Sequence, residues 1–502
     1  MSLTARRNVT DEDASDELVP RGQPVPGTDM PHVFKEPAPI PAKLIRAHAL
    51  AGLWLLLVAA LFGLITAWKF HDPEFMGQQE WSTWGRTRAN HVQGILLAWL
   101  VNGFMAFAYF AVPTLTNRPI LSERLGWAIF WFWNVGVVIG GWVLVSIGLM
   151  QSVEWGEFPA VIDVFIIIGL LAFAVQLCTP YIRQRREAKS SLYVASWYLL
   201  LALTFTPVAF IIGQFLPPFV TPGATGAVLS GLWIHDAVGM FTTPLALLIA
   251  YYVIPAATGR PIFSHFMSLI GFWGLVYFYP LNGIHHYTFS PIPMHAQTSA
   301  IAASVAMGLT VVIVVVNLYA SLRGSARMVV TYLPLRFVWM ALFFYILVSL
   351  QGAYQAGMPV QEVIHFTDWV IAHSHMAMAG FATFMVFGGI LHFWPMVSGR
   401  MPDPALARSS FWVSTLALSA MIIDLTIVGL QQASMWLSGN PWIDSVTASM
   451  PGWITRSVSG TALFIGFILF IAALHKAKPV EEIEVADKAV DVAAAKKAVQ
   501  HG

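Results

Sequence analysis

Apolar residues in this chain come in long blocks, not in short alternating runs. Stretches such as Leu53–Ala67 and Val311–Val316 extend into segments of twenty or more apolar residues. That is the length a helix needs to cross a hydrocarbon core about 30 Å thick. Hydropathy sets roughly twelve such spans, near residues 45–68, 89–113, 124–150, 159–182, 191–216, 224–254, 263–287, 294–321, 331–354, 362–396, 409–436 and 452–475. Each is expected to be α-helical, because backbone polar groups in lipid must be satisfied within their own segment. The expected fold is therefore an all-α membrane protein of about twelve transmembrane helices.

The polar stretches divide the rest of the chain. Residues 1–44 are rich in Pro, Asp, Glu and Arg and read as a cytoplasmic arm with little core of its own. Residues 45–476 form the membrane domain, and residues 477–502 a solvated tail. Basic residues are sorted by loop: Arg118 and Arg124, then Arg183, Arg185, Arg186 and Lys189, then Arg260, then Arg323 and Arg327, then Arg400 and Arg408. The loops after spans three, five, seven and nine carry no Lys or Arg, while the first outer loop, with Lys69, Arg86 and Arg88, is the exception. By the positive-inside rule both termini face the cytoplasm, in a bacterial or archaeal inner membrane.

Composition agrees: 57% of the 502 residues are hydrophobic and 11% charged, against about 25% charged in soluble domains. A net charge of +1 carries no information about partners; lipid is expected, nucleic acid is not. The single cysteine, Cys178, excludes an internal disulfide, a Cys-x-x-Cys-His haem attachment and a two-cysteine copper site. Any electron-entry centre of those kinds must lie on another subunit.

Six histidines fall inside the apolar spans: His91, His235, His285, His286, His373 and His375. An ionisable group at that depth is costly and defaults to a functional reading, and histidine is the commonest metal ligand. The topology brings all six to the outer half of the membrane, on spans two, six, seven and ten. Residues two apart on a helix point about 200° apart, so His373 and His375 look to opposite sides of span ten and can serve two different cofactors. His285 and His286, about 100° apart, converge on one ion only if the helix end is adapted, with His235 as the third ligand. Three histidines and an open position suit copper or another transition metal that must bind a small molecule. His91 then pairs with a span-ten histidine to close a six-coordinate haem. His48, His71, His265, His295, His365 and His392 read as structural or unassigned.

The motifs GRTRANH (Gly85–His91), WIHDAVG (Trp233–Gly239), YPLNGIHH (Tyr279–His286) and HFTDWVIAHSHMAMAG (His365–Gly380) resemble, in this order and spacing, the catalytic subunit of the haem-copper oxidase superfamily, specifically its C-family (cbb-type) cytochrome c oxidases. The resemblance covers roughly residues 45–475. It implies His91 and His375 as axial ligands of a low-spin haem b, His373 as proximal ligand of a high-spin haem, also b-type, and His235, His285 and His286 as copper ligands. It implies that Tyr279, which by helical rise lies about 9 Å from His285 on the cytoplasmic side, is the redox-active tyrosine, crosslinked to His235. Arg86 and Arg88 could pair with haem propionates. Protons would enter through Tyr319, Asn317, Ser268 and Tyr277, and electrons from a c-type cytochrome or a partner subunit carrying c-type haem.

The expected activity is reduction of dioxygen to water. The alternative is an oxidase-like reductase converting nitric oxide to nitrous oxide at a non-haem iron. The common reductase has a glutamate four residues after the span-six histidine, a hard oxygen ligand suited to iron; here that position is Gly239. Against this, Gln351 stands where the oxidases usually have glutamate, and Asp236 where they have asparagine. A haem-free transporter using the histidines as proton relays is the remote alternative.

Overall fold

The computed structural model describes residues 40–480, apart from 78, 189–191 and 222. Most of the expected cytoplasmic arm, and all but the start of the tail, lie outside the described residues. Helices account for nearly all the rest. Eleven of them are long and apolar enough to cross a membrane: α1 (Ala42–Trp68), α2 (Trp84–Thr116), α3 (Glu123–Ser146), α4 (Ala160–Arg185), α5 (Val194–Val220), α6 (Ala224–Thr258), then, after α7, α8 (Met294–Ser321), α9 (Leu333–Gln355), α10 (Asp368–Ser398), α11 (Pro404–Leu437) and α12 (Trp442–His475).

The seventh expected span differs. Its α-helix, α7, covers His265–Phe278 only, and the chain continues as two short 3-10 turns, Tyr279–Leu281 and Gly283–Tyr287. Pro280 accounts for the break, since it lacks the N–H that would continue the α-helical ladder. Tyr279 and the His285–His286 pair are thus not on a regular helix, and the 9 Å separation expected from α-helical rise does not apply. The tenth span also starts later than hydropathy places it. A short helix, Met358–Ile364, ends before His365, and Thr367 caps α10 by accepting from the Trp369 N–H.

Burial sorts the helices into two classes. The most apolar stretches of α2, α6 and α10 are 94% buried, whereas those of the other eight membrane-spanning helices are buried by half or less. α4 and α11 show why: Val161, Ile168, Leu171 and Val175 on one, and Leu416, Ile423 and Ile427 on the other, are exposed on an outward stripe. An apolar stripe of this kind is stable against lipid, where it has no burial to gain from another helix. The three inner helices are the ones that carry His91, His235, His373 and His375.

Each inner helix also widens to π-helical geometry just after its histidine: Gly94–Leu100 on α2, Ala237–Thr242 on α6 and Met376–Thr383 on α10. Two further π segments, Phe132–Ile139 and Ile211–Phe215, lie in α3 and α5. A π turn shifts the i→i−4 pattern to i→i−5 and is found mostly at functional sites. Here threonines follow the same shift: Thr242 donates to the Ala237 carbonyl at 2.9 Å and Thr383 to the Met378 carbonyl at 2.8 Å, both five residues back. Thr383 also accepts from the Trp99 indole at 2.9 Å, tying α10 to α2.

Thr383→Val preserves shape but leaves a buried indole N–H without its acceptor. Such an orphan costs about 1–3 kcal/mol, so the thermal unfolding midpoint of the detergent-solubilised protein is expected to fall by several degrees, measured by scanning fluorimetry.

Candidate functional site

His91 on α2 and His375 on α10 face one another with ring centroids 6.3 Å apart and planes 23° from parallel. Each ring is fixed from behind. His91 Nδ1 donates to the Ala59 carbonyl of α1 at 2.9 Å, and His375 Nδ1 donates to the Ile371 carbonyl at 2.8 Å. Donation from Nδ1 sets the tautomer and leaves Nε2 as the ligating nitrogen. Two metal–nitrogen bonds of about 2.0–2.1 Å, with roughly 1 Å from each ring centre to its nitrogen, span about the observed separation. The pair therefore fits the two axial positions of a haem. Gly63 on α1 makes room for it: a Cβ there would stand 2.5 Å from His91 Nδ1.

The other face of α10 presents His373, whose Nδ1 donates to Gln351 Oε1 of α9 at 3.0 Å. Gln351 thus does for this histidine what a backbone carbonyl does for the other two, as a neutral acceptor. A cavity of about 1310 Å³ opens beside it, lined among others by His373, His235, His285, His286, Tyr279 and His365. A void of that size in the bundle fits a second haem-sized group on His373.

Across the cavity His235, His285 and His286 present ligand nitrogens that all lie within 4.8 Å of one another. His235 Nδ1 and His286 Nε2 are 3.1 Å apart, near the roughly 3.3 Å expected between ligands of a tetrahedral ion with bonds of about 2.0–2.1 Å. His285 Nδ1 is bonded to Ser304 of α8 at 2.6 Å, and Thr288 donates to the His285 carbonyl at 2.8 Å. The 3-10 turn after Pro280 supplies the adapted helix end that lets neighbouring histidines converge. Among the described residues no carboxylate joins this group; Asp236, next to His235, is buried with neither oxygen hydrogen-bonded. Tyr279 stacks on His235, centroids 4.5 Å apart and planes 29° from parallel.

The arginines expected near haem are engaged by protein. Arg86 Nη1 donates to the Ser146 carbonyl at 3.1 Å and lies 3.6 Å from Glu80. Arg88 pairs with Glu157 at 3.0 Å and Glu154 at 3.6 Å. Burial pushes the Glu157 carboxyl above its ordinary range, and the Arg88 guanidinium opposes that shift. Arg88 still stands near enough to act on His91, and a further basic residue beside the facing pair is Arg456 of α12, which the sequence reading did not single out. It is buried, lies 3.7 Å from Asp368 and stands over the Phe70 ring at 4.7 Å, close enough for its charge to act on both His91 and His375. The signal was present: an arginine inside an apolar span carries the same cost as the histidines.

The candidate proton-entry residues divide. Asn317 Nδ2 donates to Ser268 Oγ at 2.8 Å and to the Ser264 carbonyl at 2.9 Å in a buried group, with Tyr251 beside them. Tyr319 spends its hydroxyl on the Trp339 carbonyl, and Tyr277 is 69% exposed on the apolar surface. His365, read as unassigned, lines the cavity and stacks on Phe366.

A facing histidine pair on one side of a buried helix, with a three-histidine cluster across a large cavity on the other, defines a membrane redox subunit built for haem and a second metal. Residues 43–462 match the family described as cytochrome C and quinol oxidase polypeptide I, and the chain belongs to that family. It is an oxidoreductase subunit, and family membership implies haem and copper cofactors. The chain is 26% identical to the cbb3-type cytochrome c oxidase subunit CcoN1 of Stutzerimonas stutzeri, over 88% of this chain and 96% of that one. It is 26% identical to a cytochrome c oxidase subunit 1 homolog of Agrobacterium tumefaciens, over 85% of this chain and 82% of that one. A haem-copper terminal oxidase dimer solved by cryo-electron microscopy shares the fold, with a TM-score of 0.72 at 15% identity, covering 86% of this chain and 83% of that one.

Proposed function

We propose that this chain is the catalytic subunit of a C-family terminal oxidase that reduces dioxygen to water. The observation that carries this reading is Tyr279 stacked on His235 in a ligand group of histidines alone, with glycine four residues beyond His235. A reductase of the common kind would offer iron a carboxylate there.

Haem b between His91 and His375, a second haem on His373 and copper on His235, His285 and His286 would supply the electron transfer and gas binding. The chain's own residues do the rest. Donation from Nδ1 holds each haem-facing imidazole in one tautomer. α10 separates the two haem positions by its own width, since His373 and His375 leave it in opposite directions. Arg456 places a buried positive charge beside the facing pair, where haem carboxylates need compensation; Arg86 and Arg88, already paired, anchor the outer end of α2. Tyr279 holds a phenolic proton beside the three-histidine group, and its ring on His235 is placed for the crosslink expected from the family resemblance. Ser264, Asn317, Ser268 and Tyr251 form the polar group through which protons reach it from the cytoplasm. Electrons arrive on the opposite, outer side from a c-type cytochrome or a partner subunit, with both termini of this chain cytoplasmic.

His375→Ala is expected to abolish the low-spin haem spectrum, whereas His235→Ala keeps both haems and loses activity. Loss of both haems in the second variant counts against the assignment. Metal analysis with turnover under each gas tests the substrate: copper and oxygen consumption are expected, while iron with nitrous oxide as product overturns the proposal.

Arg456→Leu is expected to lower the midpoint potential of the low-spin haem, because a nearby cation favours the reduced form. A shift of about 60 mV corresponds to a tenfold change for a one-electron couple. Arg88→Gln should move it far less, which redox titration of the two variants compares.

A further inference from the structure

Gly231, His235 and Gly239 recur at intervals of four along α6, which sets both glycines on the same side of the helix as the metal-ligating histidine. The chain from Tyr279 to Tyr287 lies directly against this side. A Cβ built on Gly283 would stand 2.2 Å from the Gly231 carbonyl oxygen and 2.5 Å from its carbon, so the two backbones touch there. At the other glycine the occupant is a ring. A Cβ on Gly239 would stand 1.6 Å from Tyr279 Cε1, 1.9 Å from Cδ1 and 2.2 Å from Cζ. No rotamer adjustment of a tenth or two relieves an overlap of that depth in a close-packed interior. Gly239 lies within a helix, so the requirement is for space and not for an unusual backbone angle.

We propose that Gly239 is a specificity-determining position of the metal centre: the space left by its absent side chain is the seat of the Tyr279 ring, so that a side chain at 239 and an aromatic ring at 279 exclude one another. Which of the two positions carries bulk then decides what accompanies the three histidines, a phenol from 279 or a carboxylate from 239. The inference deepens the dioxygen reading, because a chain with Tyr279 cannot also hold an iron-favouring glutamate at 239. It also makes Gly239 a positioning residue, acting on the centre through the tyrosine.

The overlapping atoms are ring carbons and not the hydroxyl, and this gives the experiment its resolution. Gly239→Ala, Tyr279→Ala, Gly239→Ala/Tyr279→Ala and Gly239→Ala/Tyr279→Phe are purified as the full chain with whatever subunits accompany it. They are compared by thermal unfolding midpoint and by the low-spin haem absorbance, neither of which needs turnover or a particular gas. Gly239→Ala is expected to lower the midpoint and to cost most of the haem absorbance, although alanine is the better helix former. The Tyr279→Ala partner restores both, and the Tyr279→Phe partner restores neither. Full assembly of Gly239→Ala overturns the proposal, as does rescue by phenylalanine or failure of rescue by alanine. The specificity part is read separately, by metal content after reconstitution with equal iron(II) and copper(II). The iron share is expected to rise several-fold in Gly239→Glu/Tyr279→Ala over Tyr279→Ala, and an unchanged share overturns it. If the natural protein proves to hold iron, the dioxygen reading fails while the exclusion between 239 and 279 stands or falls on the unfolding data alone.

Discussion

Everything at the centre of this molecule depends on keeping six imidazoles neutral and oriented at bilayer depth. A charged side chain there costs several kcal/mol, and a neutral imidazole still carries one donor that must be satisfied. The protein meets that demand from behind the rings of His91, His373 and His375. Ala59, Ile371 and Gln351 each accept from an Nδ1, at 2.8–3.0 Å. Each bond uses up the donor and aims the remaining lone pair inward. The inward-facing nitrogens of these three rings are thereby left to take the metals proposed for them. Burial and function are the same problem solved once.

The helices are arranged to make those bonds possible. The apolar stretches of α2, α6 and α10 are almost wholly enclosed by other helices and so can be functionalised on more than one face. α10 shows the gain most plainly, with His373 and His375 serving opposite sides. The π segments that follow the histidines extend the same logic along the helix axis. A widened turn rotates everything beyond it relative to an ideal helix, so the ligand end and the packing end of one helix can be set independently. Thr242 and Thr383, bonded five residues back, hold that rotation in place.

Much of this was legible in the sequence because it is written in composition and spacing. Apolar blocks give the spans, and the interval of two between His373 and His375 translates directly into opposite faces of one helix. What was not legible depends on the backbone. Hydropathy treats 263–287 as one span because Pro280 and Gly283 sit among apolar neighbours, yet Pro280 ends the helix and turns the tyrosine and two histidines into a loop. π segments leave no periodic trace in so short a run. Arg456 went unread for a different reason: proximity in sequence to His91 drew attention to Arg88, and only the fold brings α12 alongside the facing pair. Glu154 and Glu157 come from a loop far along the chain, and only the fold shows that they claim Arg88 first.

The two glycines flanking His235 join these levels. In the sequence they look like small residues easing helix packing, a common use in membranes. In the structure they do something narrower. Gly231 lets the backbone of the broken span come into contact with α6, and that contact is what carries His285 and His286 within reach of His235. Gly239 then receives the ring of the residue immediately before the proline that broke the span. The break, the close approach and the seat for Tyr279 are therefore one device. Restoring a regular helix through 280 would move the tyrosine and both histidines together, and filling either glycine would push the same segment away. The three-histidine geometry is thus held by the absence of side chains on α6 as much as by the imidazoles themselves.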